Sequence, residues 1–253
     1  AAAVFVTYRP PPGTPNFPGM SDSTGLASGN TPVEALAQAL AEAIERDAQT
    51  MAEIRRLAVP IDLASLDSPK IRELLSRFER VGIHVSLKEI TSEIGLPTFF
   101  AAIDDPITEN PALLCIGIGA HVNAETAVLR ALLEAAQSRC TAIAGSREDL
   151  AKHEVLKKWP YREALAKMSY WYENGEHPKN FRETPIRNFP LLEDEIAWML
   201  ERLSLHGIAE VVAVDLTLPE LDIPVVKVLI PGLERCVDSP CRGARARAAL
   251  RGG

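Results

Sequence analysis

Cysteine is scarce in this chain of 253 residues, and so are aromatic side chains and positive charge. The four cysteines are Cys115, Cys140, Cys236 and Cys241. Only the last two are close, and a single C-x4-C pair lacks the second half of a zinc site. Cys115, inside ALLCIGIG, reads as an inert buried thiol. Lys and Arg number 27 against 34 Asp and Glu, a net charge of −7. That excludes the basic footprint of a nucleic-acid binder, and no nucleic-acid partner is expected. No run approaches the roughly 18 apolar residues of a membrane span. The opening AAAVFVTYRPPPG has no basic residues ahead of its short apolar stretch, so it does not read as a signal peptide. A reducing cytoplasm is the expected compartment.

Two nucleotide motifs are also missing. There is no G-x-x-x-x-G-K-[ST], and GIGAHVNAE holds a G-x-G without the rest of a G-x-G-x-x-G fingerprint. The five histidines, His84, His121, His153, His177 and His206, show no HExxH or other compact metal spacing. Each reads as a surface or internally satisfied histidine, and His121 is the first to test.

What is present is an ordinary globular balance, 47% hydrophobic and 24% charged. Residues 1–30 are rich in Pro, Gly, Ser and Thr and read as loop. Thr31 or Asn30 then caps a helix expected from Pro32 to about Arg56. DSPKIRELLSRFERVG predicts a helix ending near Gly82. IHVSLKEI, GLPTFFAAI and PALLCIGIG predict strands, from β-branched and aromatic content between turn signals. A second long helix is expected from about Asn123 to about Ala142. Residues 144–190 are irregular, charged and aromatic, and the cluster Trp159 to Tyr172 suits either a peptide-binding lid or core packing. LLEDEIAWMLERLSLHG predicts a helix, and EVVAVDLT and IPVVKVLI predict strands. Asp104 and Asp105 before Pro106 read as the start of a turn. The class is α/β or α+β, with βαβ units expected in the last third.

The two long helices repeat one another. EALAQALAEAIER (34–46) lies over TAVLRALLEAAQS (126–138) without a gap, so that Glu42 falls on Glu134 and Glu45 on Gln137. Gln38, Glu42 and Glu45 form an i, i+4, i+7 stripe, as do Arg130, Glu134 and Gln137. Brought together, three carboxylates and a carboxamide would repel without a cation and raise their own pKa values. As hard oxygen donors they suit Mg2+ beside substrate phosphates. The bland alternative is a pair of solvated amphipathic helices.

These segments resemble a family. STGLASGNTPVEALAQALAEAIERDA (23–48), GIGAHVNAETAVLRALLEAAQSR (117–139), AGSREDL (144–150) and VVAVDLTLPELDIPVVKVLIPGLE (211–234) are similar, in that order, to the signatures of YcaO-domain proteins. STGLASGNT and IPVVKVLIPGLE are closest to members that work beside a TfuA partner. The resemblance implies a YcaO-like fold with an internal pseudo-repeat of helix plus mixed sheet, placed at 31–253. It also implies ATP and Mg2+ as cofactors, and O-phosphorylation of a peptide backbone amide after a nucleophile has added to its carbon. The expected product is a thioamide, formed with a TfuA-like partner; an azoline ring and a non-catalytic nucleotide-binding scaffold are the alternatives. Carried over, Glu42, Glu45, Glu134 and Gln137 are the metal set. Gln38, Arg46, Arg130, Arg147 and Arg245 are the nucleotide contacts, and no catalytic side chain is assigned. A peptide or protein is the substrate, and a homodimer stays open. The chain departs from the pattern in three ways. Gln38 stands where a serine is usual, only about 30 loop-like residues precede the G-N-T turn, and RARAALRGG replaces the Pro-rich tail of many azoline makers, which favours thioamide chemistry.

Overall fold

The computed structural model describes residues 4, 22–145, 158–175, 177–235 and 242–251. Arg147, Cys236 and Cys241 lie outside them. The described residues fall into two units, each taken by itself. One contains residues 1–57, 91–96 and 188–253, and the other contains residues 58–90 and 97–187.

In the first unit, strand β1 (Leu26–Ser28) leads into helix α1 (Pro32–Arg55). Thr31 caps that helix by accepting from the Glu34 N–H, and the Glu34 carboxylate accepts from the Asn30 N–H, one residue ahead of the cap, at 2.9 Å. Alanines 35, 37, 39, 41 and 43, with Leu40 and Ile44, are buried. The helix packs on a three-stranded antiparallel sheet in the order β1-β8-β7, where β7 is Val212–Asp215 and β8 is Val225–Leu229. Helices α6 (Leu192–Leu205) and α7 (Ala244–Arg251) pack against α1.

The second unit is built on a five-stranded sheet, order β5-β4-β3-β2-β6. In chain order its strands are β2 (Val59–Asp62), β3 (His84–Glu89), β4 (Thr98–Asp104), β5 (Cys115–Ala120) and β6 (Lys179–Asn180). All of β4 is buried, as a central strand covered on both faces must be. Its consecutive phenylalanines point opposite ways. Phe99 joins the core under α2 (Pro69–Arg80) and α3 (Ala124–Ala144), 5.8 Å from Phe181. Phe100 stacks on Trp171 of the short helix α5 (Ser169–Tyr172) at 4.0 Å. Just before α5, helix α4 (Tyr161–Lys167) docks Tyr161 and Ala164 on Leu114. Tyr161 and Trp171 of the aromatic cluster therefore pack inward, whereas Trp159 is exposed with Lys167 Nζ 4.1 Å over its ring. Lys88, buried on the same face of the sheet, donates to the Tyr170 carbonyl, and burial lowers its pKa.

The mixed α/β architecture agrees with the sequence reading, and its long helices start and stop within two residues of expectation. Four features differ. Leu26–Ser28, inside the segment read as loop, is strand β1; three residues between Gly25 and Gly29 carry no readable alternation. β2 contains Pro60, which argues against a strand, and β6 is only two residues long. Residues 111–113 of PALLCIGIG form a 3-10 turn ahead of β5. The βαβ units expected in the last third are replaced by antiparallel pairing of β7 with β8, because residues 216–224 are too few for a crossover helix. Asp105 does begin a turn, accepting from the Ile107 and Thr108 N–H groups, and Cys115 is buried. Among the described residues no helix is long and apolar enough to cross a membrane.

Helix α3 lies so close to β5 that a Cβ added at Gly117 would sit 2.2 Å from the Ala135 nitrogen and 2.3 Å from the Ala131 oxygen. Both obstacles are helix backbone, so the helix would have to move. Gly117→Ala should lower stability by about 2 kcal/mol or more, read as a lower urea midpoint at unchanged slope. An unchanged midpoint would show that α3 sits further from β5 than this.

Candidate functional site

Each unit ties one helix carboxylate to the strand ahead of it. In the first, the Gly25 N–H donates to Glu42 Oε2 at 3.0 Å. In the second, the Ile118 N–H donates to Glu134 Oε2 at 2.7 Å. The spacing that carries Thr31 onto Asn123, the cap of each helix, also carries Glu42 onto Glu134 and Gly25 onto Gly117. Gly25 has φ +75°, and a Cβ there would meet the Val228 carbonyl oxygen at 2.4 Å. The sequence repeat is thus a repeat of strand, capped turn, helix and anchored carboxylate.

Around Glu42 the charges alternate. Arg46 Nε lies 3.6 Å from Glu42 Oε1, and the same guanidinium is 3.9 Å from Glu45. Gln38 is half-buried one turn earlier. Burial raises the Glu42 pKa, opposed first by Arg46 and then by the Gly25 amide. The cause of the raised value at Glu42 is thus desolvation and not the repulsion expected from converging carboxylates. Lys227, the lysine of PVVK, is fully buried. Its Nζ donates to the Asp22 and Thr24 carbonyls at 2.7 Å each and so fixes the segment that presents the Gly25 N–H. Burial lowers the Lys227 pKa, and Asp22 opposes the shift.

Around Glu134, Arg130 donates to the Ala120 carbonyl at 3.1 Å, and Gln137 is exposed one turn on. His121 accepts the Asn123 N–H on Nδ1 at 3.0 Å. Burial, then Arg130, pushes its pKa down to about 4, which favours the neutral ring that accepts the Asn123 N–H.

Arg245 is held by acids. It pairs with Asp47 at 3.0 Å and with Glu93 at 2.5 Å. Asp47 also accepts the Glu234 N–H at 2.9 Å, and the Glu234 carboxylate caps α7 by accepting from the Gly243 and Ala246 N–H groups. The PGLE turn is thereby fastened to α1 and α7 together. Asp47, Glu93, Glu234 and Lys227 were missed as a group in the sequence. The one readable signal was a lysine in the middle of the apolar run VVKVLI.

The structure thus gathers Glu42, Glu45 and Arg46 on α1 and aligns Arg130, Glu134 and Gln137 along α3. The predicted metal set is divided between the two units. Within the described residues of either unit, no three His, Cys, Asp or Glu side chains form a group that could hold a metal. The donors nonetheless suit Mg2+ in kind: hard carboxylate oxygens, two of them oriented by backbone amides.

The family model for the YcaO cyclodehydratase, described as ATP- and Mg2+-binding, matches residues 1–234. The chain belongs to the YcaO family. A protein of Methanothermobacter thermautotrophicus is 37% identical over 99% of this chain and 65% of its own length. A Rhizobium leguminosarum bv. trifolii protein described as lying in the tfuA 3' region is 35% identical over 87% of this chain and 54% of its own. The solved structure of YcaO from Methanopyrus kandleri bound with AMPPCP and Mg2+ is 29% identical, with a TM-score of 0.72 over 85% of this chain and 56% of that one. The chain therefore spans between half and two thirds of the length of these relatives.

Asp47 supplies a pH test. Burial pushes its pKa up to about 6 against the pull of Arg245 and the Glu234 amide. A carboxyl raised on folding stabilises most when protonated in both states, below about pH 4, and that contribution is lost as pH rises through about 6. Asp47→Asn should therefore flatten the stability profile between pH 4 and 6, measured by denaturant titration. An unchanged slope would mean that Arg245 holds Asp47 ionised throughout.

Proposed function

We propose that this chain binds MgATP and uses it to activate a backbone amide of a polypeptide. The observation that carries this reading is the twofold anchored carboxylate, Glu42 on Gly25 and Glu134 on Ile118. A carboxylate oriented through one oxygen by a backbone amide keeps the other for a cation, with little reorganisation on binding. Glu42, Glu45 and Glu134, with Gln137, would hold Mg2+. Gln38, Arg46, Arg130 and Arg147 would contact the nucleotide, and Arg245 would join them by exchanging its acidic partners for phosphate.

When bound, MgATP supplies the phosphoryl group and the charge neutralisation that its transfer needs. The chain's own groups position and neutralise. A nucleophile adds to the amide carbon, the amide oxygen takes the γ-phosphoryl group, and phosphate leaves with that oxygen. With sulfide as nucleophile, loss of protons leaves C=S. With a substrate Cys, Ser or Thr side chain, loss of the amide proton closes a C=N ring.

Thioamide formation beside a TfuA-like partner is the finer reading, supported by the tfuA-region relative. Cys115 does not suit a sulfur donor: burial pushes its pKa up to about 11, which keeps it protonated. The family description as a cyclodehydratase favours azoline formation as the second reading.

Glu42→Gln and Glu134→Gln keep a side-chain oxygen for the Gly25 and Ile118 amides, so both should fold. Together they should weaken Mg2+-dependent ATP binding at least about 100-fold, or ~2.7 kcal/mol, by calorimetry. Binding at the wild-type level would remove these glutamates from the metal set, and an unfolded double variant would make them structural.

The chemistry is read by mass spectrometry on the protein with its peptide substrate, sulfide and a TfuA-like partner. Thioamide formation adds the mass difference between sulfur and oxygen, whereas cyclodehydration subtracts one water. Loss of water would overturn the thioamide reading and keep amide activation. No mass change alongside tight nucleotide binding would leave a non-catalytic scaffold.

A further inference from the structure

Five carboxylates are buried among the described residues, and four of them face a cation or a set of amides. Glu45 faces Arg46, Asp47 faces Arg245, Asp105 accepts from Arg139 at 2.6 Å, and Glu234 caps α7. Asp104 is the exception. It is 9% exposed and has no Lys or Arg partner among the described residues. Its Oδ2 accepts the Tyr161 hydroxyl at 2.8 Å and lies 3.6 Å from His84 Nδ1. Both contacts fall on one oxygen, which leaves Oδ1 for a further donor. A buried carboxylate without a cation is unfavourable for the fold, so its place asks for a reason.

Asp104 lies at the end of β4, opposite His84 at the start of β3, and both line a cleft of about 380 Å3 under α4 and α5. Glu173 lies on the rim, and it also faces the buried Lys88. The walls are Leu165, Ala166 and the Tyr172 ring. Arg162 lines the cleft as well, with its guanidinium drawn outward to Glu109 at 3.4 Å. The cleft is wide enough for one long side chain, its walls suit a methylene stem, and its buried end carries a carboxyl group with no Lys or Arg partner among the described residues.

We propose that this cleft binds the cationic head of a lysine or arginine side chain of a polypeptide, with Asp104 as the counter-ion and Tyr172 against the stem. A guanidinium or ammonium would complete the Asp104 carboxylate while its alkyl chain covers apolar wall. The assignment rests on the amide-activation reading only for the source of that side chain, because a polypeptide substrate brings basic residues with it.

The test uses the full chain and capped single residues: Nα-acetyl-arginine N-methylamide, its lysine counterpart and its citrulline counterpart, which matches arginine in shape without the charge. Binding is followed by amide NMR shifts. The arginine or lysine probe should bind with Kd on the order of 1 mM and move signals of α4, α5 and the β3–β4 end. Citrulline should bind at least 10-fold more weakly. Asp104→Asn, which can still accept the Tyr161 hydroxyl, should erase that preference. Glu173→Gln on the rim should weaken the cationic probes several-fold, and Arg162→Ala should leave them equal or tighter. Equal binding of citrulline and arginine, or an Asp104→Asn protein that keeps the preference, overturns the proposal. If n-butylguanidine binds as tightly as the capped arginine, the polypeptide assignment is overturned in favour of free cations. MgATP affinity should be the same in all three variants, so failure here and failure of amide activation are separately readable.

Discussion

Close approach of a helix backbone to the strand ahead of it is the constraint on which both halves of this chain depend. Gly117 and Gly119 let β5 and α3 meet where any Cβ would strike helix backbone, and Gly29, just after β1, does the same against the Ala35 nitrogen of α1. Alanines along α1 and α3 complete the approach from the other side. At that distance a glutamate on the helix reaches back to a free N–H of the strand, as Glu42 and Glu134 both do. One contact thus satisfies a backbone donor and fixes one oxygen of the carboxylate.

The rest of the first unit serves the same geometry. Lys227 holds the carbonyls before Gly25, and Asp47 holds the PGLE turn, whose glutamate caps α7. These are buried charges, each with its hydrogen bonds or counter-ions supplied, which is the condition under which burial of a charge is tolerated. Arg245 belongs to this set in the structure, although the family resemblance casts it as a nucleotide contact. A guanidinium that shares two carboxylates, one fully buried, has a structural use whether or not it also meets phosphate.

The second unit shows how a residue pair can be legible in part. The adjacent acids Asp104 and Asp105 read correctly as a turn signal, and Asp105 performs that role while pairing with Arg139. Asp104 points to the other side of the chain, where α4 and α5 bring Tyr161 from far along the sequence. Nothing in the local pattern distinguishes the two. Likewise the aromatic cluster announced itself by composition, but only the tertiary structure stacked Trp171 on Phe100 and left Trp159 exposed.

The sequence by itself determined the long helices, their caps, most strands and the repeated polar stripe, because helix periodicity and capping are written within a few neighbouring residues. It also carried enough ordered motifs to place the chain in the YcaO family, which the match over residues 1–234 bears out. Tertiary structure alone decided which backbone N–H each motif glutamate holds. It alone also revealed Lys227 and Asp47 as the fasteners of the first unit, and Asp104 as a buried acid with no Lys or Arg partner among the described residues. A hydrogen bond from a side chain to backbone 16 or 17 residues away, as at Glu134 and Glu42, leaves no mark on the local side-chain pattern. An ion pair such as Asp47 with Arg245 joins positions so far apart that neither residue's neighbours can indicate the other.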